Sequence, residues 1–245
     1  MQHTFVIAED DVEGQRAEGD TALEKVVRGP DTGSTFLEHR VIRYARGRSL
    51  PRGETDRDEL FYVVSGSGTL ELDGEPYDLE PESGAYVRAG ETYVIDSAGR
   101  DELLIVSTSV PVEQVYRPPR EVVVRLADRP ELRADAHRTF RYLVNQDAGC
   151  MDATQFVGIV EPCRAPDHSH TYDELGYIVA GEGFAHVAGE SIPVRPGSCF
   201  HLPPGQVHCI ENTGPGIMTI LGVFHPSGDP ASRAYEDNSQ LIPAS

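Results

Sequence analysis

The hydrophobic positions of this chain show little of the regular spacing that is typical of helices. Residues 175–180 are predicted to form a strand, which the glycine-rich turn 181–183 ends. Strands are also expected at 3–7, packed on either half of the chain or on a partner subunit, and at 122–126, at a sheet edge or between the halves. The clearest predicted helix is short, at 231–236, where Asp229 would cap it and Pro230 would occupy its first turn. Together with 24 glycines and 18 prolines, the pattern predicts a turn-rich, all-β chain.

Four polar residues have the spacing of metal ligands. Successive side chains on a strand alternate between its faces, so His168, His170 and Glu174 are predicted to point the same way. His208 must come from another strand, which the turn 203–205 would bring alongside. Three imidazoles and one carboxylate form a mixed nitrogen and oxygen site for a divalent metal. Such a site suits the inside of a small β-barrel with room for one ion and one small ligand.

The surrounding residues carry a family resemblance. Residues 168–181 follow the pattern H-x-H-x3-E-x6-G, and residues 197–212 follow G-x5-P-x-G-x2-H-x3-N. Both resemble the two motifs of the cupin superfamily, although the glycine expected before the first histidine is replaced by the segment 163–167, a change that affects a turn and not a ligand. The resemblance implies a jelly-roll barrel whose ligands are His168, His170, Glu174 and His208.

The chain also repeats itself without a gap at an offset of 115 positions. Glu59 recurs as Glu174 and Gly66 as Gly181, and further identical residues follow in the same register. The repeated unit is a whole barrel, so the chain resembles a bicupin, with two tandem cupin-type jelly-roll β-barrels. We predict an N-terminal barrel over 1–115, a linker over 116–138 and a C-terminal barrel over 139–245.

The first barrel is predicted to lack a transition metal. At the positions of the three histidines it has Gly53, Thr55 and Tyr93, and only the carboxylate, Glu59, remains. Two interpretations stay open. The barrel binds an organic ligand through Glu59, Tyr93 and Arg57, or it is a scaffold for the second barrel, which we favour.

The second site indicates a metal-dependent enzyme. Six-coordinate metals would keep two adjacent positions for water, substrate or O2. We expect one divalent ion per chain, Fe(II) or Mn(II) by cellular availability, with Ni(II), Co(II) and Zn(II) as alternatives. The leading hypothesis is a non-haem oxygenase of the dioxygenase type that acts on a small organic molecule, with Glu174 as a base when it leaves the metal. The alternatives are a redox-neutral isomerase, decarboxylase, lyase or hydrolase similar to the ureidoglycine aminohydrolase bicupins, and a non-catalytic binding protein.

Strand alternation also predicts the wall of the substrate pocket. Gly176 and Ile178 share the inward face with the ligands, whereas Tyr177 points outward. Five apolar residues are candidates for the wall, although each is equally suited to barrel core: Phe156, Phe200, Ile210, Met218 and Phe224. His201 precedes the turn 203–205 and could lie near the site, although a structural role is favoured. The other histidines lack partners at ligand spacing and are assigned to the surface or to packing.

Charge and cysteine usage limit the partners and the location. A net charge of −19 argues against nucleic acid and anionic membranes as partners. No apolar run approaches the length of a membrane span, so a cytoplasmic protein is expected. The four cysteines have no paired spacing, which favours free thiols. Exposed strand edges at the N-terminus and at 122–124 favour a homodimer.

Overall fold

The protein is built almost entirely from antiparallel β-strands. The computed structural model describes residues 5–34, 36–232 and 234–235. Strands β1 to β11 are Val6–Ala8, Ala22–Arg28, Glu38–Tyr44, Gly47–Arg48, Arg57–Ser65, Gly68–Leu72, Glu75–Leu79, Ser83–Val87, Tyr93–Ser97, Leu103–Pro111 and Val123–Arg125. Strands β12 to β23 are Leu132–Arg133, Arg138–Val144, Thr154–Val160, Cys163–Arg164, His168–Ser169, Asp173–Ala180, Gly183–Val187, Glu190–Val194, Ser198–Leu202, His208–Asn212, Met218–His225 and Ala234–Tyr235. The described helices are short 3₁₀ turns at Glu9–Asp11, Pro30–Thr32, Leu126–Asp128 and Gln146–Ala148.

Two sheets form the first barrel. A six-stranded sheet with the order β11-β8-β5-β10-β3-β2 faces a four-stranded sheet with the order β4-β9-β6-β7. The strands alternate apolar inward residues with outward ones, and the space between the sheets is filled by a cluster that includes Ile42, Phe61, Leu70 and Ile105. The interior of this barrel is therefore packed core.

The second barrel repeats this plan with additional strands at its edges. A seven-stranded sheet with the order β1-β20-β17-β22-β14-β13-β12 faces a sheet with the order β19-β18-β21-β16-β23, in which β15 also pairs with β21. Two inward positions are glycines, whose lack of a side chain leaves space for aromatic rings. A Cβ atom on Gly176 would lie 1.9 Å from the ring of Phe200, and one on Gly222 would lie 2.3 Å from the ring of Phe156. These glycines allow the rings to fill the barrel interior near the ligand-bearing strands.

The barrels pack through the outer faces of their two larger sheets. One continuous apolar cluster takes side chains from both, among them Val41 and Tyr62 from the first barrel and Val157 and Leu221 from the second. The N-terminal segment adds a polar link, because Glu9 contacts Arg43 of the first barrel and accepts a hydrogen bond of 3.3 Å from the Tyr177 hydroxyl of the second. The outward direction predicted for Tyr177 is confirmed.

The chain termini and the linker contribute strands in a way that the sequence left open. Strand β1 pairs with β20, so the N-terminal segment joins the second barrel, while residues 3 and 4 lie outside the described residues. Strand β11 pairs with β8 at the edge of the first barrel's larger sheet. The boundaries at 115 and 139 stay predictions. Among the described residues, no helix combines the length and the hydrophobicity that a membrane crossing requires.

The helix predicted after Pro230 is wrong for the residues that the structure describes. The Asp229 side chain does accept a hydrogen bond from the backbone of Ala231, at 2.8 Å, but this contact closes a turn. The chain then continues as β23, which pairs with β16, whereas residues 233 and 236 lie outside the described residues. Pairing with a strand edge satisfies the backbone groups there and overrides the local helix-start signal.

Candidate metal centre

Three histidine side chains converge inside the second barrel. His168 on β16 and His208 on β21 are register partners, and His170 follows directly after β16. One ligand nitrogen from each ring lies within 4.8 Å of the others, and all three residues are buried. The rings converge as the sequence predicts, but not through alternation along one strand. Strand β16 ends at Ser169, so His170 lies beyond it, and Glu174 lies on β17 of the facing sheet.

Backbone carbonyls fix the orientation of all three rings. The Nδ1 atoms lie 2.8 Å from Pro166 O in His168, 3.0 Å from Ser232 O in His170 and 2.8 Å from Gln206 O in His208. A carbonyl oxygen only accepts, so each Nδ1 carries the hydrogen and each Nε2 keeps its lone pair. This arrangement is the one found at metal-binding histidines, where the second ring nitrogen donates to a protein oxygen.

Glu174 completes the cluster. Its Oε2 atom lies 3.6 Å from Nε2 of His170 and 3.7 Å from Nε2 of His208, and finds no hydrogen-bond partner among the described residues. Two ligands bound at about 2.1 Å from one ion lie at most about 4.2 Å apart, so these separations suit a shared cation. The donor set and the orphaned carboxylate oxygen therefore fit a divalent metal.

The protonation states agree with this assignment. Burial lowers the pKa of His168 and also that of His208, which falls to about 4, so both rings are neutral ligands at pH 7. Burial, together with the neighbouring charge of Asp173, raises the pKa of Glu174 to about 8. A buried carboxylate without a cation is costly, and a bound metal ion would supply the missing positive charge.

The cluster faces a small cavity of about 90 Å³. Apart from the four candidate ligands, the polar residues in its lining are Arg138 and Thr139. The apolar part of the lining is Ala134, Phe140, Phe156, Gly158, Val160, Phe200, Ile210, Ile220, Phe224 and Pro230. Four of the five wall candidates named from the sequence are among them. Met218 is not among them, and it is fully buried in the apolar core cluster that also contains Ile178.

Arg138 is the residue that the sequence interpretation missed. The sequence places it at the end of the predicted linker 116–138, yet it is the first residue of β13 and lines the cavity. Its neighbours in the sequence give no sign of this, since the polar segment before it resembles an ordinary surface loop. Only the pairing of β13 with β14 places it at the mouth of the barrel.

A second buried pair lies directly behind the centre. His201 Nε2 donates to Asp173 Oδ1 at 2.6 Å, and both side chains are buried on the outer face of the sheet that carries Glu174. The first barrel has a hydrogen bond at the equivalent positions, 115 residues earlier, but with a different donor. There the Tyr86 hydroxyl donates to Asp58 Oδ2 at 2.7 Å. His201 is thus a structural residue, as the sequence favoured.

The equivalent place in the first barrel holds a different network. Glu59 accepts hydrogen bonds from the Tyr93 hydroxyl at 3.1 Å and from the Ser107 hydroxyl at 3.2 Å. Arg57 does not join them, since its guanidinium donates to Ser109 Oγ and to backbone oxygens. The proposed ligand site of Glu59, Tyr93 and Arg57 therefore does not assemble.

Arg40 supplies the positive charge in this network. It lies within ion-pair distance of three carboxylates, those of Glu24, Glu38 and Glu54. Its charge also opposes the effect of burial on the pKa of Glu59, which is nevertheless raised. Arg40 thus balances the charge of several carboxylates in the first barrel.

The other described histidines are packing or surface residues, as expected. His39 is buried with Nδ1 2.9 Å from Thr108 Oγ1, and His225 is buried with Nδ1 3.0 Å from Asp152 O. His137 pairs with Glu161 at the surface. His3 lies outside the described residues. The four cysteines are free thiols.

Fold and site together define a double-barrel protein with a histidine triad in its second barrel. Comparison with known families agrees, since the family model of the cupin domain matches residues 40–109 and again residues 157–224. The two segments cover more than half of the chain. The chain therefore belongs to the cupin family, and its tandem barrels make it a bicupin.

Similar proteins have been found by sequence and by structure. An oxalate-binding protein from Thermotoga maritima is 36% identical over 58 residues, which cover 23% of this chain and 48% of that protein. This chain spans about half the length of the curated relatives it matches. A putative glyoxylate-induced protein from Pseudomonas aeruginosa has a TM-score of 0.78 at 17% identity and covers 91% of each chain.

Oxalate decarboxylase from Bacillus subtilis is also similar in structure. It has a TM-score of 0.75 at 14% identity, over 94% of this chain and 78% of that one. At these identities the structural likeness shows the two-barrel fold alone. The family and the histidine triad support a metal-dependent protein that acts on, or binds, a small molecule.

Proposed function

We propose that this protein is a metal-dependent oxygenase of a small organic molecule. The observation that carries the proposal is the convergence of three Nε2 lone pairs and the unbonded Glu174 Oε2 on one small cavity. A divalent ion held there by His168, His170, His208 and Glu174 would offer open positions for substrate and O2. Fe(II) and Mn(II) are the ions we favour.

The cavity lining supports oxidation at the metal over proton-transfer chemistry. Among the described residues, the lining contains no carboxylate or imidazole other than the four candidate ligands. The Tyr172 hydroxyl lies nearby but donates to the backbone oxygen of Asp229 at 2.6 Å. A redox-neutral isomerase or lyase normally needs a positioned acid or base, a role that here falls on Glu174 alone. The apolar walls would hold the substrate and exclude water from it.

Oxygen consumption tests this proposal. Protein loaded with Fe(II) or Mn(II) is mixed with a panel of small organic substrates in air, and O2 uptake is measured. Product formation is measured in a parallel set of reactions under anaerobic conditions. We expect substrate-dependent uptake that His208→Ala abolishes and that the surface variant His137→Ala leaves unchanged. Turnover that continues without O2 would refute the oxygenase proposal and favour the redox-neutral enzyme.

A non-catalytic binding protein is the second candidate, which the similarity to an oxalate-binding protein favours. In that case a ligand would bind the metal-loaded protein with no chemical change and no O2 uptake. Recovery of the unaltered ligand after long incubation with the loaded protein in air distinguishes this candidate from both enzymes.

A further inference from the structure

We propose that Arg138 binds a carboxylate group of the substrate, and hence that the substrate is a small organic acid. This inference rests on the proposed function in one respect, namely that the bound acid is also the molecule that reacts. The binding of a small acid in this cavity can nevertheless be measured without any turnover.

The position of Arg138 on its strand directs it into the barrel. Residues two apart on a strand share a face, so Arg138 lies on the same face as Phe140, which lines the cavity. Its register partner on β14 is Val160, which is also part of the lining. The Arg138 side chain is only 14% exposed. The guanidinium is therefore a cavity group and not a surface charge.

The hydrogen bonds of Arg138 fix its guanidinium through Nε and Nη2 and do not use the N–H groups of Nη1. Nε donates to Asp135 Oδ2 at 2.7 Å, and Nη2 contacts the same oxygen. Among the described residues, no partner accepts from Nη1. Asp135 is not part of the cavity lining, so it fixes the guanidinium from outside. The two N–H groups of Nη1 are available to a ligand oxygen.

The charge balance of the cavity favours an anion. Glu174 is the carboxylate in the described lining, and a divalent ion bound there would outweigh its charge. Arg138 adds a positive charge to the lining, which its ion pair with Asp135 offsets in part. With a divalent ion bound, the cavity would therefore carry a net positive charge in a chain whose overall net charge is −19. An acid could bind the metal with one end and Arg138 with the other.

The size and the walls of the cavity limit the acid further. A volume of about 90 Å³ admits a molecule of only a few carbon atoms. The walls beside the centre are the rings of Phe156 and Phe224 and the side chain of Ile220, which offer no hydrogen bonds through their side chains. A short carboxylate, with a second oxygen for the metal, matches this combination of groups.

Calorimetric titration of the Zn(II)-loaded protein tests the inference without turnover. The probes are acetate, glyoxylate, pyruvate and oxalate, with pyruvamide as an uncharged analogue. Arg138→Met should bind the best acid about ten- to hundredfold more weakly, the range expected for a charge-assisted hydrogen bond. It should bind pyruvamide no more weakly than the unchanged protein does, and its metal content should be the same. Arg138→Lys, which keeps the charge but loses the fork, should recover part of the affinity.

The matched control is Arg133→Met, which removes an exposed arginine from the neighbouring strand β12. It should bind every probe as the unchanged protein does, and thermal melting confirms that each variant is folded. Equal affinity of Arg138→Met and the unchanged protein for the acids overturns the inference, as does the absence of acid binding to the unchanged protein. If the acid binds in an Arg138-dependent way but no O2 uptake is seen, the oxygenase proposal is refuted and the binding inference still holds.

Discussion

Glu59 and Glu174 occupy the same register position in the two barrels. Glu59 pairs with Val87 and Ser109, and Glu174 pairs with Leu202 and Phe224, each partner displaced by the same 115 positions as the glutamates themselves. The duplication inferred from the sequence is thus a structural one. The surroundings of these equivalent carboxylates differ: Glu174 lies among three histidines, whereas Glu59 accepts hydrogen bonds from Tyr93 and Ser107.

The role of Glu174 is tested by Glu174→Gln. The amide keeps an oxygen for the metal, while the three histidines hold the ion as before, so we expect substantial metal occupancy. Turnover should fall by roughly 10²–10⁴, because the change removes a negative charge and any base function. Metal content and rate are measured together, with the exposed Glu190→Gln as the control. Normal turnover in Glu174→Gln would show that the carboxylate is neither a base nor a tuner of the metal.

Arg40 is predicted to stabilise the first barrel by compensating the negative charge of nearby carboxylates. Arg40→Met removes the counter-ion that Glu24, Glu38 and Glu54 share, and of the three only Glu24 keeps a described ion pair, with Arg52. We expect a loss of about 3 kcal/mol in the free energy of unfolding, measured by chemical denaturation. Arg48→Met is the control, since its ion pair with Glu71 is exposed and contributes little. A small and equal effect of both changes would contradict this role.

Glu59 should make stability depend on pH in a defined direction. Burial raises the pKa of Glu59 above its usual 4.5 in the folded protein. Its contribution to stability is therefore full below pH 4.5 and is lost as the pH rises through the folded pKa. Glu59→Gln is neutral throughout, so its stability relative to the unchanged protein should increase from pH 5 to pH 8. Denaturation at both pH values measures this, and a relative loss at pH 8 would mean that the carboxylate is favoured in its charged form.

Much of the fold and the identity of the candidate ligands are predictable from the sequence, because short-range periodicity marks the strands and two short motifs mark the ligands. The two motifs identify the four candidate ligands, but alternation along one strand does not explain how they meet. His168 lies on β16 and Glu174 on β17 of the facing sheet, so the closure of the barrel brings them together. Arg138 is different, because its approach to the cavity depends on strand pairing that no local pattern encodes. The C-terminal segment shows the converse, since the local signal of Asp229 and Pro230 favours a helix that strand pairing overrides.

Association of two copies of the chain is a further proposal. Strands β1 and β11 each end a sheet and leave one row of backbone hydrogen-bonding groups for another strand. We expect a homodimer at micromolar concentration by light scattering. A monomer under the same conditions would show that these edges are covered within one chain.

Metal analysis of the purified, reconstituted protein tests the central claim most directly. We predict about one divalent ion per chain, with binding weakened by orders of magnitude in His168→Ala and in His208→Ala, because each leaves an incomplete ligand set. His137→Ala, a surface histidine, and Tyr93→Phe, at the position equivalent to His208 in the first barrel, should both keep the full ion content. A stoichiometry near two, or an ion that survives the loss of His208 and disappears with Tyr93→Phe, would contradict a single centre in the second barrel.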